Sequence, residues 1–236
     1  MARVALRWPN RGPGVLLVHG FTDQPASVAQ LGEALGQRGY NVYAPILAGH
    51  GGTAEELRAS TAVDWRRSAE LALLELVEGS AGNGVAVCGL SLGGMLAMDL
   101  AAHFPVRALV MLNPAAALYE RKAPLARVLW PVLPYLRLRE GANLDRLPLR
   151  SVAELLRYIR EARTHASAVR APSLMLQSEF DTTVRPAASK ALFDLLGSRQ
   201  KEFEILASHE HVPREQAALF AERAGRFLDG VFGGPS

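Results

Sequence analysis

The sequence predicts an α/β domain, a mostly parallel β-sheet covered by helices. Three observations carry that reading. Short apolar runs alternate with amphipathic stretches along most of the 236 residues, the pattern of strands joined by crossover helices. One run turns into a helix through a serine flanked by glycines. Two later runs end in loops that carry first carboxylates and then histidines, and the loops after parallel strands are where open α/β sheets hold their ligands.

The runs are Val15–His19, Asn41–Pro45, Val85–Cys88, Ala108–Asn113, Ser173–Ser178 and Glu202–Leu206. With a weaker run at Ala2–Trp8, read as an edge strand, they give about seven strands. Between them, Trp65, Ala69, Ala72, Leu73, Leu76 and Val77 recur at the spacing of one helix face. Thr61, with Asp64 three residues on, resembles a capping box at the start of that helix. Leu92–His103 reads as a helix closed by Pro105, and Ala187–Leu196 and Gln216–Asp229 as two more.

One interval breaks the alternation. Residues 114–170 contain no strand-like run. They hold "SVAELLRYIREAR", with Val152, Leu155, Leu156 and Ile159 at helical spacing, and "LARVLWPVLPYL", interrupted by two prolines. The expectation is a small, mainly helical cap inserted into a core of residues 1–113 and 171–236. Within it, Leu125, Val128, Leu129, Val132, Leu133 and Leu136 share one face. That face either packs on the sheet or walls an apolar pocket.

Composition bounds the function. No stretch approaches the roughly 20 apolar residues of a membrane span, so stable membrane insertion is not expected. The N-terminus reaches Pro and Gly before a signal-peptide core could form, Cys88 has no partner cysteine, and no Asn-x-Ser/Thr acceptor occurs. A cytoplasmic protein is the economical expectation. The net charge is only +3, although residues 114–171 hold ten Arg and one Lys against five acids. No basic stripe with interleaved aromatics accompanies them, so no nucleic-acid partner is expected. Arg outnumbers Lys 23 to 3, and compositional bias explains that without a polyanion.

The most informative stretch is "VAVCGLSLGGMLAMDLAAHFP". Gly89-Leu90-Ser91-Leu92-Gly93 fits G-x-S-x-G, a common pentapeptide that gains meaning from the apolar run before it and the helix after it. A turn this tight strains the serine backbone and exposes its hydroxyl at the sheet edge. A nucleophilic serine needs N–H donors for the oxyanion it creates. One is the residue after it, Leu92; the second belongs in a loop after an earlier strand, and in "GVLLVHGFTDQP" the candidate is Phe21. His19 reads as a buried strand-end residue holding that loop, His50 as a structural loop residue, and Cys88 as a small core residue.

The serine also needs a base, and the base an orienting carboxylate, in the chain order Ser, acid, His. "APSLMLQSEFDTTVRP" offers Glu179 and Asp181, and "FEILASHEH" offers His209 and His211. A metal pair at the two histidines would need further ligands at compatible spacing, and the sequence offers only scattered candidates. One histidine as base and the other as bystander fits better.

On these residues the chain resembles the small bacterial carboxylesterases and monoacylglycerol lipases of the α/β-hydrolase superfamily. The motifs are "HGFT", "GHG" with a following "EEL", "DW", "GLSLGG", the D-x-x-V-x-P of Asp181 to Pro186, and "HV" near the end. The resemblance spans nearly the whole chain and is weakest over residues 114–165. It implies an α/β-hydrolase fold with a Ser91–Asp181–His211 triad, the base being the histidine that precedes a valine. It also implies oxyanion donors at Phe21 and Leu92, a small-molecule ester substrate with a hydrophobic acyl group, and no cofactor or metal. Asp23, where these enzymes often have Gly, and Pro213, after "HV", depart from the pattern. The same machinery would serve a thioesterase, a lactonase or a carbon–carbon bond hydrolase, and some relatives only bind ligands.

Overall fold

The apolar runs form the strands that their spacing predicts. The computed structural model describes residues 4–80, 82–117, 125–137 and 144–234. Strands β1 (Leu6–Trp8), β2 (Gly14–Val18), β3 (Asn41–Ala44), β4 (Val85–Leu90), β5 (Ala108–Leu112), β8 (Ser173–Ser178) and β9 (Lys201–Leu206) make one seven-stranded sheet in the order β1-β3-β2-β4-β5-β8-β9. Only β1 is antiparallel to its neighbour, at the edge. The first residues of the run expected at Ala2–Trp8 lie outside the described residues.

Alternation along the strands divides the core into two layers. Val15, Leu17, Ala86, Cys88, Val110, Leu174 and Leu176 face α1 (Ala29–Gln37) and α8 (Ala217–Phe232). Leu16, Val18, Val87, Leu109, Met111 and Met175 face the other side. There they meet α3 (Ala62–Gly79), α4 (Leu92–His103), α6 (Leu149–His165) and α7 (Pro186–Leu195). Central strands buried on both faces are the reason these runs read as continuous rather than alternating. Thr61 and Asp64 close the expected capping box on α3. Val77, placed on that helix's buried face by its spacing, is exposed at the last turn, whereas Trp65, Ala69, Ala72, Leu73 and Leu76 are buried.

Two helices have no counterpart in the sequence reading. Helix α1 carries Gly32 and Gly36, poor helix formers, because Trp8 lies against them: a Cβ at Gly32 would come 2.3 Å from the indole. Helix α2 (Ala54–Ala59) has six residues and is fixed by a capping box between Thr53 and Glu56.

Between β5 and β8 the described residues hold the short helix α5 (Ala126–Leu129), two strands and α6. The strands β6 (Tyr135–Arg137) and β7 (Arg146–Pro148) pair antiparallel in a segment where no strand was expected. Three residues each are too few to leave a periodic signal. Residues 118–124 and 138–143 of the expected cap lie outside the described residues. The face from Leu125 to Leu136 does not pack on the sheet; its side chains are exposed, Val132 by 80%. Trp130 instead joins Ala126, Leu149 and Val152 in a small cluster that also takes in the ring of Phe21. No helix among the described residues is long and apolar enough to cross a membrane.

Candidate active site

The chain leaves β2 toward β3 on one side, whereas β4 lies on the other, so the crevice at the C-terminal ends of β2 and β4 is the topological switch point. The loops after β2, β4, β8 and β9 carry the serine, carboxylate, histidine and oxyanion-donor candidates singled out from the sequence.

The turn after β4 is the tightest. Ser91 has φ 56° and ψ −116°, a region that a residue with a Cβ seldom enters. Gly89 and Gly93 permit it: a Cβ at Gly89 would lie 2.0 Å from the Gly93 carbonyl oxygen, and one at Gly93 would lie 2.1 Å from that of Val18. From β5, Leu112 O accepts Ser91 N–H at 2.9 Å, and Ala115 N–H reaches Ser91 O at 3.0 Å. The serine is therefore held from both sides with its hydroxyl at the head of α4.

The histidine loop brings one of the two candidate bases to it. His211 Nε2 lies 2.8 Å from Ser91 Oγ, and its Nδ1 lies 2.7 Å from Asp181 Oδ2. A carboxylate only accepts, so Nδ1 carries the proton and Nε2 is left to accept from the serine hydroxyl. The other Asp181 oxygen accepts Thr183 N–H at 2.7 Å and Val184 N–H at 2.9 Å. Burial alone would raise the carboxyl's pKa. The hydrogen bond and charge of His211, with those two backbone donors, outweigh it and hold Asp181 below the ordinary carboxylate range.

The rejected alternatives sit apart. Glu179 is exposed. His209 is exposed and stacks on Phe180, ring centroids 4.5 Å apart and planes 16° from parallel. Glu210, between the two histidines, accepts the backbone N–H groups of Arg214, Glu215 and Gln216 that lead into α8.

The loop after β2 approaches from the other side. A Cβ at Gly20 would lie 3.4 Å from Ser91 Cβ, and Phe21 N–H belongs to the peptide that leaves Gly20. Leu92 N–H belongs to the peptide that leaves Ser91, in the first turn of α4, where backbone donors have no intrahelical acceptor. The Phe21 ring packs against Trp65 and His50 at centroid distances of 5.6 and 5.9 Å. His19 is fully buried: Leu47 N–H donates to its Nε2 at 3.2 Å, so its Nδ1 donates to Gly20 O at 2.9 Å. Burial first, and His50 beside it second, lower its pKa to about 3. His19 thus stays neutral and ties the Gly20 peptide to the β3 loop.

Comparison with known proteins identifies the family. The family model described as serine aminopeptidase, S33 matches residues 11–213. The chain belongs to this family. It has the α/β-hydrolase fold and is a serine hydrolase of the lipase and esterase type. It is 32% identical over 215 residues to a thermostable monoacylglycerol lipase of Bacillus sp. (strain H-257), covering 87% of this chain and 85% of that one. It is 25% identical over 207 residues to a carboxylesterase of Bacillus subtilis (strain 168), covering 84% of each. Among solved structures, a chain from work on LipS and LipT, two metagenome-derived lipolytic enzymes, superposes with a TM-score of 0.89 at 28% identity, covering 97% of this chain and 98% of that one.

In this serine hydrolase the two departures from the expected pattern share a surface. Asp23 and Pro213 line one cavity of about 330 Å³ with Gln24, Ser27, Gln30 and Arg214. A larger cavity, about 1040 Å³, lies at the opposite edge of the sheet, around Arg107, Pro172 and Lys201, away from Ser91.

Sequence reasoning passed over Asn113. Fully buried at the end of β5 with φ 42°, it accepts Ser178 N–H at 2.7 Å and points its amide nitrogen at His211 O, 2.7 Å away, and at Glu210 O, 3.2 Å away. It thereby fastens the histidine loop to the central sheet. The available signal was a polar residue closing an apolar run in front of a proline, of a type that tolerates positive φ.

Proposed function

We propose that the chain hydrolyses carboxylic esters of short-to-medium acyl chains, monoacylglycerols included, through an acyl-enzyme intermediate. The observation that carries this reading is the continuous hydrogen-bond chain from Asp181 through His211 to Ser91. Ser91 Oγ attacks the ester carbonyl while His211 Nε2 takes the hydroxyl proton. His211 returns that proton to the departing alcohol oxygen, leaving the acyl group on Ser91. A water molecule then gives a proton to His211, attacks the acyl carbon and releases the acid, and the proton goes back to Ser91. Asp181 holds the imidazole with its proton on Nδ1 and stabilises the imidazolium. Phe21 and Leu92 N–H hold the oxyanion in both steps. No step needs a cofactor.

The acyl group is proposed to lie against the apolar surface formed by Phe21, Trp130, Leu147 and Leu156, under a cap of residues 114–170. Membership in a peptidase-described family leaves the leaving group open, but both curated relatives named above are ester hydrolases. The test is hydrolysis of nitrophenyl esters, thioesters, lactones and monoacylglycerols of graded length. Each buried methylene is worth about 0.8 kcal/mol, so kcat/KM for esters should rise with chain length until the surface is filled. A chain that binds these compounds without turnover, or that prefers thioesters or lactones throughout, refutes the proposal.

A further inference from the structure

A second cluster of chemically competent side chains lies on the far half of α4. Asp99 and His103 are one helical turn apart, and the C-terminal end of α6 brings His165 to them. His165 Nδ1 lies 2.8 Å and His103 Nδ1 3.2 Å from the same oxygen, Asp99 Oδ1. One donor atom from each residue falls within 4.8 Å of the others, and the two rings meet edge to face with centroids 4.8 Å apart. We propose that these three residues bind a divalent transition-metal ion of the zinc class, joining α4 to α6.

The donor set is two imidazole nitrogens and one carboxylate oxygen, which suits zinc and its neighbours rather than calcium or magnesium. With metal–ligand bonds of about 2.0–2.2 Å in tetrahedral geometry, neighbouring donor atoms sit roughly 3.3–3.6 Å apart. The two Asp99 contacts, 2.8 and 3.2 Å, lie within about half an ångström of that spacing, and the two exposed imidazoles would turn to bring all three donors, now within 4.8 Å, onto one ion. Asp99 is prepared for the role. It is 2% exposed, and its second oxygen accepts Arg66 Nε–H at 3.0 Å and Tyr158 O–H at 2.9 Å. These donors leave Oδ1 facing the imidazoles, the outer-shell support that metal-binding carboxylates use. Arg66 also pairs with Glu70 at 2.8 Å, which offsets its charge beside an incoming cation.

The histidines are accessible, 43% and 33% exposed, so an ion can enter and water can take the fourth position. His165 Nδ1 lies against the carboxylate, whereas His103 Nδ1 lies nearer the Asp99 main-chain carbonyl, at 2.8 Å, than the carboxylate. Each coordinating nitrogen must be unprotonated to bind, so the ion would replace both contacts. The role is structural. Asp99 is eight residues beyond Ser91, about 12 Å along the helix, too far to touch a substrate carbonyl. The sequence reading weighed a metal only at His209 and His211, which the structure turns toward different partners.

The test uses the full chain without a histidine tag, stripped with EDTA and titrated with Co²⁺ and Zn²⁺. Wild type should show visible Co²⁺ d–d bands that saturate at one equivalent. At a hundredfold excess over Kd, Zn²⁺ should raise Tm by roughly 5–10 °C with ester hydrolysis unchanged. His103→Gln and His165→Gln should each abolish both responses while melting close to wild type without metal. Absence of the one-equivalent Co²⁺ spectrum in wild type overturns the proposal whatever the variants do. So does a metal response that persists in both variants, or one that tracks loss of hydrolysis, since either places the ion outside this cluster.

Discussion

Asn113→Asp isolates how much of the site's order comes from one side chain. The change keeps the shape, the tolerance of φ 42° and the oxygen that accepts Ser178 N–H at 2.7 Å. It replaces the amide NH₂ with an oxygen facing three oxygens, Ser178 Oγ, Glu210 O and His211 O. Asn113→Ala gives the scale. It strands the buried Ser178 N–H and the His211 carbonyl at about 1–3 kcal/mol each and puts alanine, which tolerates the left-handed region less well than asparagine, at φ 42° for about 1 kcal/mol. The total, roughly 3–7 kcal/mol, competes with a typical whole-domain stability of 5–15 kcal/mol, so the alanine variant tests folding more than catalysis. In the aspartate variant the loop should move away while the sheet stays intact. A displacement of about 1 Å at the base costs on the order of a hundredfold in rate. We expect kcat on a nitrophenyl ester to fall about 10–100-fold with KM little changed, slower fluorophosphonate labelling, and a lower Tm. Wild-type kcat together with wild-type Tm would show that His211 is positioned without Asn113.

Ser91→Ala should remove nearly all turnover, on the order of a millionfold, and abolish fluorophosphonate labelling; surviving label would put the nucleophile elsewhere. Asp181→Asn should cut kcat by about 10⁴ while Glu179→Gln leaves it within a few-fold, and the reverse order would move the acid by two positions. His211→Ala should abolish hydrolysis and His209→Ala should spare most of it. The fall of kcat/KM toward acid pH, as the base binds a proton, should persist in the His209 variant; its disappearance there would make His209 the base. Because Asp181 is held below the ordinary carboxylate range, it stays ionised through that limb. The stability it contributes is present at and above the ordinary carboxylate range and is lost only as pH falls through its depressed value. His19, lowered from 6.5 to about 3, binds a proton in the unfolded chain before it does in the folded one. Unfolding should therefore become easier below pH 6.5 by about 1.4 kcal/mol per unit from this group. NMR signals of His19 that titrate near neutral pH would contradict its buried, neutral state.

What was legible in the sequence follows from what leaves a periodic or steric signature. Doubly buried strands show as apolar runs, α3 and α8 show as apolar stripes, and α4, buried nearly all round, shows as an apolar helix after the serine turn; their bounds agree to within two residues except the end of α8, expected at Asp229 and found at Phe232. Helix α1 was obscured because Gly32 and Gly36 serve Trp8, a residue more than twenty positions away, so a tertiary demand overrode local propensity. The proposed nucleophile was legible because its turn demands small residues at fixed offsets. The proposed base was not. His209 and His211 are chemically identical, and only the fold decides that one stacks on Phe180 while the other meets Ser91. The resemblance favoured His211 through the following valine, where spacing alone had left both open. Asn113 escaped because its partners, Ser178 and the carbonyls of Glu210 and His211, lie 65 to 98 residues away.

Backbone strain marks the same site without reference to any motif. Among the described residues, the non-glycine residues with positive φ are Thr22, Ser91 and Asn113, at 60°, 56° and 42°. They follow β2, β4 and β5, three neighbouring strands of the sheet. One adjoins the proposed oxyanion donor, one is the proposed nucleophile, and one holds the loop of the proposed base. Conformations of this kind cost on the order of 1–3 kcal/mol each and persist only where the surroundings over-determine them. Here the surroundings are visible. Gly89 and Gly93 let α4 press onto β2 and β4, Ser91 is pinned from β5 on both its backbone groups, and Asn113 is tied to two further strand ends. If these turns served only to connect elements, relaxed conformations with other residues would suffice. Three strained turns side by side, around one hydroxyl, are what a rigid site needs, because the proposed base and oxyanion donors, which come from different loops, must keep their geometry to within a fraction of an ångström.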